Sequence, residues 1–274
     1  MSNDTQYRST FAANTDRGPS PTIWGSCPVE RILAGTIDGI HVFNDFITGG
    51  KITIPTTEAA LVGLPLNGFG SAGSTLAYSQ VKNDGGVLIL AETTASEGFI
   101  LRDVAAPFQV SSGVGNLWFE ARVKPLLIAT TEMAFVVGLM DTTAASATAP
   151  LTMTTGAVAD VNFVGFHKPV ANTTAFDTSY KANGVTLVEV NSDVGALVAA
   201  TYVKLGMMFN TSDNKLSFFI NGVKQANTKT VPNDTGTDFP ADVALGIVAG
   251  MCVGAAASDN ELHVDWWRCA QLIA

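Results

Sequence analysis

The sequence is poor in charge and lacks clusters of basic residues. Only 14% of its 274 residues are charged, and 24 acidic residues against 15 basic ones give a net charge of −9. Because nucleic-acid binding relies on lysines and arginines that neutralise phosphates, this balance argues against a nucleic-acid partner. Hydrophobic stretches are broken within about ten residues, short of the roughly 20 that span a bilayer, so we expect no membrane partner.

Cysteines are also few. Cys27, Cys252 and Cys269 are odd in number and lack metal-ligand spacing, so we expect buried or half-buried thiols, with a Cys252–Cys269 bridge as an open alternative. The polar stretch from Met1 to Arg17 predicts that no signal peptide precedes the fold and that the protein is made in the cytoplasm.

Alternation of apolar and polar residues is abundant. Every second residue from Val203 to Phe209 is apolar, a polar turn follows, and alternation resumes from Leu216 to Ile220 before Asn221-Gly222. Period-2 alternation with Asn-Gly is typical of hairpins in an antiparallel sheet. Strand candidates occur at Val87–Glu92, Phe99–Arg102, Leu117–Lys124, Ala134–Met140, Val161–His167, Val185–Val190, Tyr202–Phe209, Leu216–Ile220, Val243–Val248 and Leu262–Cys269. Strands with little helix between them predict an all-β sandwich.

Three regions differ in pattern. Residues 1–22 are polar and aperiodic, which predicts an extended N-terminal arm. Residues 23–84 are expected to lead into the sheet through at most a short helical turn after Pro28 and then to form edge loops with short β pieces. Residues 85–274 carry the predicted sandwich.

Three segments, at 116–125, 202–225 and 261–271, resemble the concanavalin A-like jelly-roll superfamily of lectins, laminin-G-like modules and glucanases. This resemblance implies a jelly-roll β-sandwich and no particular chemistry. The stretch TIWGSCPVERILAGTIDGIHVFNDFITG resembles the start of virion structural proteins of tailed bacteriophages. That second resemblance implies a capsid decoration or cement protein on the virion surface. Its partners would be the major capsid protein and copies of itself, in a homo-oligomer such as a trimer.

Catalytic patterns are weak. Glucanases of the superfamily carry Glu-x-Asp-x-x-Glu, whereas Glu92 and Glu97 flank Thr94 in place of the central aspartate. Residues five apart in a regular strand face opposite sides, so we expect a solvated strand end and no enzyme activity. Gly68, Gly70 and Gly73 match G-x-G-x-x-G without a βαβ context, which favours turns over a nucleotide site.

Histidines and turn residues also lack a motif. His41, His167 and His263 are isolated and are expected to be satisfied sheet or interface residues. Turn oxygens that can bind calcium occur at Asp213, Asn214, Asp259 and Asn260, but turns favour these residues for backbone reasons, so we expect no cofactor.

Tryptophans supply the remaining site candidates. Trp118 and Trp267 are predicted to contact a glycan or a protein partner, and the adjacent Trp266 and Trp267 must face opposite sides of a strand. The sequence therefore predicts a non-enzymatic virion structural protein that binds through its arm and loops. The alternative is a carbohydrate- or receptor-binding lectin-like module of a tail or head fibre.

Overall fold

The computed structural model describes residues 17–46, 52–53, 59–61, 66–70, 74–79, 86–129, 132–141, 151–152, 155–172, 174–195, 197–232, 238–254 and 260–273. These contain two short helices, α1 (Pro21–Trp24) and α2 (Val29–Leu33). They also contain the strands β1 (Gly39–Asn44), β2 (Ile52–Thr53), β3 (Ala59–Ala60), β4 (Leu66–Gly70), β5 (Thr75–Tyr78), β6 (Leu88–Glu92), β7 (Gly98–Asp103), β8 (Leu117–Pro125), β9 (Met133–Asp141), β10 (Phe163–Lys168), β11 (Phe176–Lys181), β12 (Val188–Val194), β13 (Val203–Asn210), β14 (Lys215–Ile220), β15 (Val223–Thr230), β16 (Leu245–Val253) and β17 (Asn260–Leu272). No helix among the described residues is long and apolar enough to cross a membrane.

The strands form two antiparallel sheets. The nine-stranded sheet has the order β15-β14-β13-β8-β17-β6-β5-β2, and β1 also pairs with β17. The eight-stranded sheet has the order β12-β11-β10-β9-β16-β7-β4-β3. Successive strands from β6 to β9 alternate between the two sheets, so that the chain repeatedly crosses the core. The prediction of an all-β sandwich is confirmed.

The inner faces of the two sheets share one apolar core. Alternate residues such as Phe119 and Phe218 of the nine-stranded sheet and Phe135 and Phe166 of the eight-stranded sheet are fully buried in it. Phe166 and Phe218 meet edge-to-face across the two sheets, with ring centroids 5.8 Å apart. Burial of one side of each strand is the physical cause of the period-2 pattern in the sequence.

The predicted hairpin lies next to the edge of the nine-stranded sheet. Strands β13 and β14 pair from Leu205 opposite Ile220 to Asn210 opposite Lys215. Asn221 and Gly222 have φ of 49° and 76°, as a two-residue type I′ turn requires. This turn leads into β15, a mostly exposed polar strand that extends the hairpin to three strands.

The passage before residue 85 contributes strands to both sheets. Strand β4 pairs with β7 in the eight-stranded sheet, and β5 pairs with β6 in the nine-stranded sheet. Gly68 and Gly70 lie inside β4, so the expectation that they form turns is wrong, while Gly73 lies outside the described residues. A Cβ at position 68 would lie 2.9 Å from a methyl group of Leu61, so that side chain would have to shift.

A segment near the N-terminus covers the outer face of the nine-stranded sheet. We call residues 17–33, which include α1 and α2, the N-terminal strap. Ile23 is fully buried over Gly206, where an added Cβ would lie 2.3 Å from the Ile23 Cδ1 atom. The Arg268 guanidinium lies 4.1 Å from the ring centre of Trp24. These contacts form an apolar cluster separate from the inner core.

Buried carboxylates hold the strap to the sheet. The Glu120 Oε2 atom accepts hydrogen bonds from the Ser20 backbone N–H at 2.8 Å and from the Trp24 indole at 2.9 Å. The Arg17 guanidinium donates to the fully buried Asp265 carboxylate at 2.6 Å. Charge-assisted bonds of this kind are shorter and stronger than neutral ones, so they anchor the strap at both ends of α1.

The strap changes the boundary of the predicted arm. Residues 17–22 belong to a segment that packs on the sandwich, so the extended arm expected over residues 1–22 does not include them. Residues 1–16 lie outside the described residues. The short helix expected after Pro28 is present as α2.

The outer face of the eight-stranded sheet is also covered by the chain itself. Ile100, Val136 and Val248 on that face form a second apolar cluster with Leu151 and Val158 from the segment after β9. Leu151 and Val158 face each other in an isolated antiparallel bridge. The strands β10, β11 and β12 lie towards the other end of this sheet.

Candidate functional site

Strand alternation directs polar side chains of β10 and β11 to the outer face. Phe166 and Tyr180 belong to the inner core, and neighbours in a strand point to opposite sides. His167, Asp177 and Ser179 therefore face outward from the eight-stranded sheet.

Register brings these outward residues together with two acids of β12. His167 is directly opposite Asp177, and Ser179 is directly opposite Glu189. The backbone N–H of Asp193 donates to the Asp177 carboxylate at 2.8 Å. Side chains directly opposite in antiparallel strands have Cβ atoms about 5 Å apart, so these five residues form one group, which we call the polar cluster.

His167 is a neutral hydrogen-bond acceptor within this cluster. Its side chain is 4% exposed, and Nε2 contacts the carbonyl oxygen of Gly156 at 2.7 Å. Since a carbonyl oxygen can only accept, Nε2 carries the proton and Nδ1 is left as an acceptor. Burial is the main cause that lowers the His167 pKa, so the ring is neutral at pH 7. No described group pairs with the buried Nδ1 atom.

Ser179 presents a second buried polar atom without a partner. The residue is fully buried, and its hydroxyl has no hydrogen-bond partner among the described residues. An unpaired buried polar group costs about 1–3 kcal/mol, and such groups are uncommon in native proteins. Because two of them occur on one face, next to exposed polar side chains, the polar cluster is the candidate site for a polar ligand.

Exposed carboxylates form the accessible side of the cluster. Glu189 and Asp193 are exposed, and the Ser192 hydroxyl donates to Glu189 at 2.8 Å. The Asp177 pKa is raised, first by burial and then by the nearby charges of Glu189 and Asp193. The cluster thus offers one neutral acceptor, one hydroxyl and three carboxylates, a set that suits hydroxyl groups better than anions.

The structure places Trp118 and Trp267 inside the molecule. Trp118 is 2% exposed beneath the strap, where its indole N–H donates to the Ser26 hydroxyl at 3.0 Å. Trp267 is fully buried in the inner core, with its ring centroid 5.0 Å from that of Phe46. Neither ring is open to a glycan or a partner, because the strap covers Trp118 and the inner core encloses Trp267. Trp266 does face away from Trp267 as predicted, but it too is buried under the strap.

Glu92 is a structural residue. It is 1% exposed and accepts hydrogen bonds from the Ser74 hydroxyl at 2.5 Å and from the backbone N–H groups of Thr93 and Thr94 at 2.9 and 3.2 Å. The expectation of a solvated carboxylate is therefore wrong for Glu92. Three donors fix its position at the end of β6, while Glu97 lies beyond the following turn.

The other two histidines lie in the nine-stranded sheet as expected. His41 in β1 accepts a hydrogen bond from Arg268 Nε at 2.9 Å, and burial together with that cation lowers its pKa to about 4. His263 in β17 contacts the Glu261 carboxylate at 2.6 Å.

The cysteines are free thiols, and burial raises the pKa of each. Cys27 is half-buried with a pKa of about 12, and Cys252 is buried with a pKa of about 11. Cys269 is fully buried in the inner core. Cys252 lies in β16 of the eight-stranded sheet and Cys269 in β17 of the nine-stranded sheet. The expectation of buried or half-buried thiols is confirmed.

Residues considered for calcium serve the backbone of their turns. The Asp213 carboxylate accepts from the Lys215 N–H at 3.2 Å, and Asn214 has φ of 53°. The Asn260 side chain accepts from the Leu127 N–H at 3.1 Å, while Asp259 lies outside the described residues. No group of three or more potential metal ligands occurs within the described ranges.

Comparison with known proteins identifies the fold. No protein-family model matches the sequence, and no curated protein matches it either. Peanut lectin superposes with a TM-score of 0.57 at 13% identity, over 86% of this chain and 99% of the lectin. A protein of unknown function from Shewanella oneidensis MR-1 gives 0.56 at 15% identity, over 90% of this chain and 94% of that protein. Basic winged bean lectin, solved with Tn-antigen, gives 0.52 at 10% identity over 86% and 99%. The protein therefore has the concanavalin A-like jelly-roll fold of the legume lectins.

Proposed function

We propose that the protein is a non-catalytic, lectin-like carbohydrate-binding module and that the polar cluster is its binding site. The observation that supports this proposal most directly is the pair of unpaired buried polar atoms, His167 Nδ1 and Ser179 Oγ, beside the exposed carboxylates of Glu189 and Asp193. Sugar hydroxyls both donate and accept hydrogen bonds, so they can satisfy all of these groups at once. The likeness to lectins agrees with this function, although the fold alone does not determine a ligand.

Access to the buried atoms of the polar cluster depends on the segment between β9 and β10, which includes Gly156. The Gly156 carbonyl holds His167 Nε2 at 2.7 Å and Nδ1 is buried, so a ligand hydroxyl reaches Nδ1 only if the residues that cover the ring shift. Gly156 has φ of 66°, and a Cβ there would lie 2.3 Å from the Ala134 Cβ atom. We expect the ligand to engage the exposed carboxylates first and the buried atoms after this local movement.

Binding without catalysis fits the state of the candidate groups. The Glu92 carboxylate is fully engaged by the Ser74 hydroxyl and two backbone N–H groups. Glycoside hydrolysis requires two carboxyl groups placed on opposite sides of the scissile bond, and Glu92 is held away from that role. Mass spectrometry of glycans after incubation with the protein tests this part of the proposal, since shortened products would show an enzyme.

The role in a capsid stays a prediction. Residues 17–22 contact the domain itself, and residues 1–16, which would provide the remaining arm, lie outside the described residues. Copy number in purified virions tests that role, because hundreds of copies per particle indicate a capsid protein.

A glycan array with matched serine variants tests the proposed site. We expect the native protein to bind a defined set of glycans and Ser179→Ala to weaken that binding about tenfold, because a buried hydrogen bond to the ligand is lost. Ser179→Ala should leave stability unchanged or slightly higher, since the hydroxyl has no protein partner. Ser217→Ala, a change at a buried serine of the other sheet, is the control and should bind normally. No glycan binding on a broad array, or undiminished binding by Ser179→Ala, would contradict the proposal.

A further inference from the structure

Three of the five residues of the polar cluster are acidic. Asp177 belongs to β11, Glu189 and Asp193 belong to the neighbouring strand β12, and the Asp193 backbone N–H donates to the Asp177 carboxylate. The Asp177 pKa is raised partly by its two acidic neighbours, which reflects their mutual repulsion. A negative field of this kind repels acidic ligands and attracts cationic ones.

Nearby cations are already engaged. The Lys168 ammonium donates to the carbonyl oxygens of Met133 and Asn172 at 2.8 Å and to that of Pro169 at 3.3 Å, which occupies all three of its hydrogens. Lys181, at the end of β11, lies 3.6 Å from the Asp160 carboxylate.

The ion pair between Asp160 and Lys181 does not offset the negative charge of the polar cluster. The Asp160 side chain is 65% exposed and also accepts a hydrogen bond from the Gly184 N–H. Two lysines, Lys168 and Lys181, stand against the three acids of the cluster and Asp160, so acidic groups outnumber basic ones and a further negative charge is not balanced. Transfer of a ligand carboxylate or sulfate to this place would therefore meet uncompensated repulsion.

We propose that the site selects glycans that carry protonated amino groups and rejects uronic and sulfated glycans. This inference rests on the proposed carbohydrate-binding function and names the ligand class. A sugar ammonium would donate to Glu189 and Asp193 at the surface, while neighbouring hydroxyls pair with Ser179 and the neutral His167 ring. Neither buried atom carries charge, so the selection comes from the carboxylates.

Three oligosaccharides of equal length separate this inference from its premise. They are an oligomer of β-1,4-linked glucosamine, its fully N-acetylated form and an oligouronate, measured by calorimetry at a pH at which the amines are protonated. We expect the amine form to bind about tenfold more tightly than the N-acetylated form, since exposed ion pairs each contribute up to about fivefold. The oligouronate should bind most weakly. Raising the salt concentration should reduce the amine preference, because screening acts on exposed charges.

Charge-removing variants locate the preference. Glu189→Gln and Asp193→Asn should each reduce the preference for the amine form about threefold. Asparagine tolerates the positive φ of 51° at position 193, so the second change keeps the backbone. Asp213→Asn, at an exposed acid in the turn after β13, is the matched control and should leave the preference intact.

The possible results distinguish failure of the amine preference from failure of carbohydrate binding. Binding of the N-acetylated form or of the oligouronate at least as tightly as the amine form would overturn the inference while the proposed function stands. An unchanged preference in both Glu189→Gln and Asp193→Asn would overturn it as well. Failure of all three oligomers together with every glycan on the array would overturn the proposed function itself.

Discussion

Replacing Ile23 by alanine should release the N-terminal strap without unfolding the sandwich. Ile23 is fully buried over Gly206, in a cluster that the inner core does not share. The strap reaches the sheet through this cluster and through hydrogen bonds to Glu120 and Asp265. Loss of the isoleucine side chain therefore acts first on the free energy of strap docking.

The expected magnitude follows from the buried side chain. Isoleucine-to-alanine changes in packed clusters cost about 2–5 kcal/mol, the sum of lost transfer free energy and a cavity. A cost of about 2 kcal/mol raises the population of the detached strap about 30-fold, since 1.36 kcal/mol corresponds to a factor of ten. The loss in global stability is smaller if the strap detaches, because detachment removes the cavity.

Hydrogen exchange measured by mass spectrometry distinguishes local from global opening. We expect exchange of the Ser20 amide, which donates to Glu120, to accelerate by at least an order of magnitude in Ile23→Ala. Amides at the centres of β9 and β16 should keep their protection, because those strands pair within the eight-stranded sheet. Ile273→Ala provides a matched control, since that isoleucine is 57% exposed.

Two results would refute this reasoning. Equal acceleration in the strap and in β9 and β16 would show that the strap belongs to the global folding unit. An effect of Ile273→Ala as large as that of Ile23→Ala would show that burial over Gly206 is not the cause.

Three further predictions concern stability. Burial raises the pKa of Glu120 above 4.5, so its proton stabilises the native state at low pH and this stabilisation is lost as pH rises through the native pKa. Glu120→Gln should therefore gain stability relative to the native protein as the pH of urea titrations is raised above 4.5, and a constant difference would contradict this. Asn191→Ala should cost about 2–3 kcal/mol in the same assay, because Asn191 exchanges two hydrogen bonds with the backbone of Asn227 and joins the edges of the two sheets. Gly222→Ala should lower the free energy of unfolding more than Gly184→Ala. Both glycines have positive φ, which costs alanine about 1–2 kcal/mol, but only at position 222 would the new Cβ contact the strap. Equal thermal shifts for the two would exclude that contact.

Most strands of the sandwich were predictable because one face of each is buried in the inner core. The hairpin from Tyr202 to Gln225 shows this pattern together with its Asn-Gly turn, and the structure has both. Strand β15 was not predicted, because it lies at an edge with both faces largely exposed and so has no apolar alternation. Strand β11 was missed for another reason. Its inward side includes Thr178 between Phe176 and Tyr180, which hides the alternation.

The polar cluster could not be predicted from the sequence, because its residues come from strands whose positions or pairing the sequence pattern does not show. Ser179 lies in the strand that was missed, and its neighbours His167 and Glu189 come from strands whose register the sequence does not specify. The tryptophans misled the prediction because aromatic residues suggest a surface for sugars, whereas Trp118 lies beneath the strap. Local sequence pattern does not show which face of a sheet a distant segment such as the strap will cover.

The position of β17 determines when this protein can fold during its synthesis. Strand β17 pairs with β8, β6 and β1, and it supplies the Asp265 carboxylate that binds the strap. Residues near the N-terminus must therefore wait for residues 260–272 to leave the ribosome before they find their partners. Such long-range pairing slows folding and leaves unpaired strands exposed in the meantime. A chain that stops before residue 260 would lack the centre of one sheet, and we expect it to aggregate instead of forming a smaller domain.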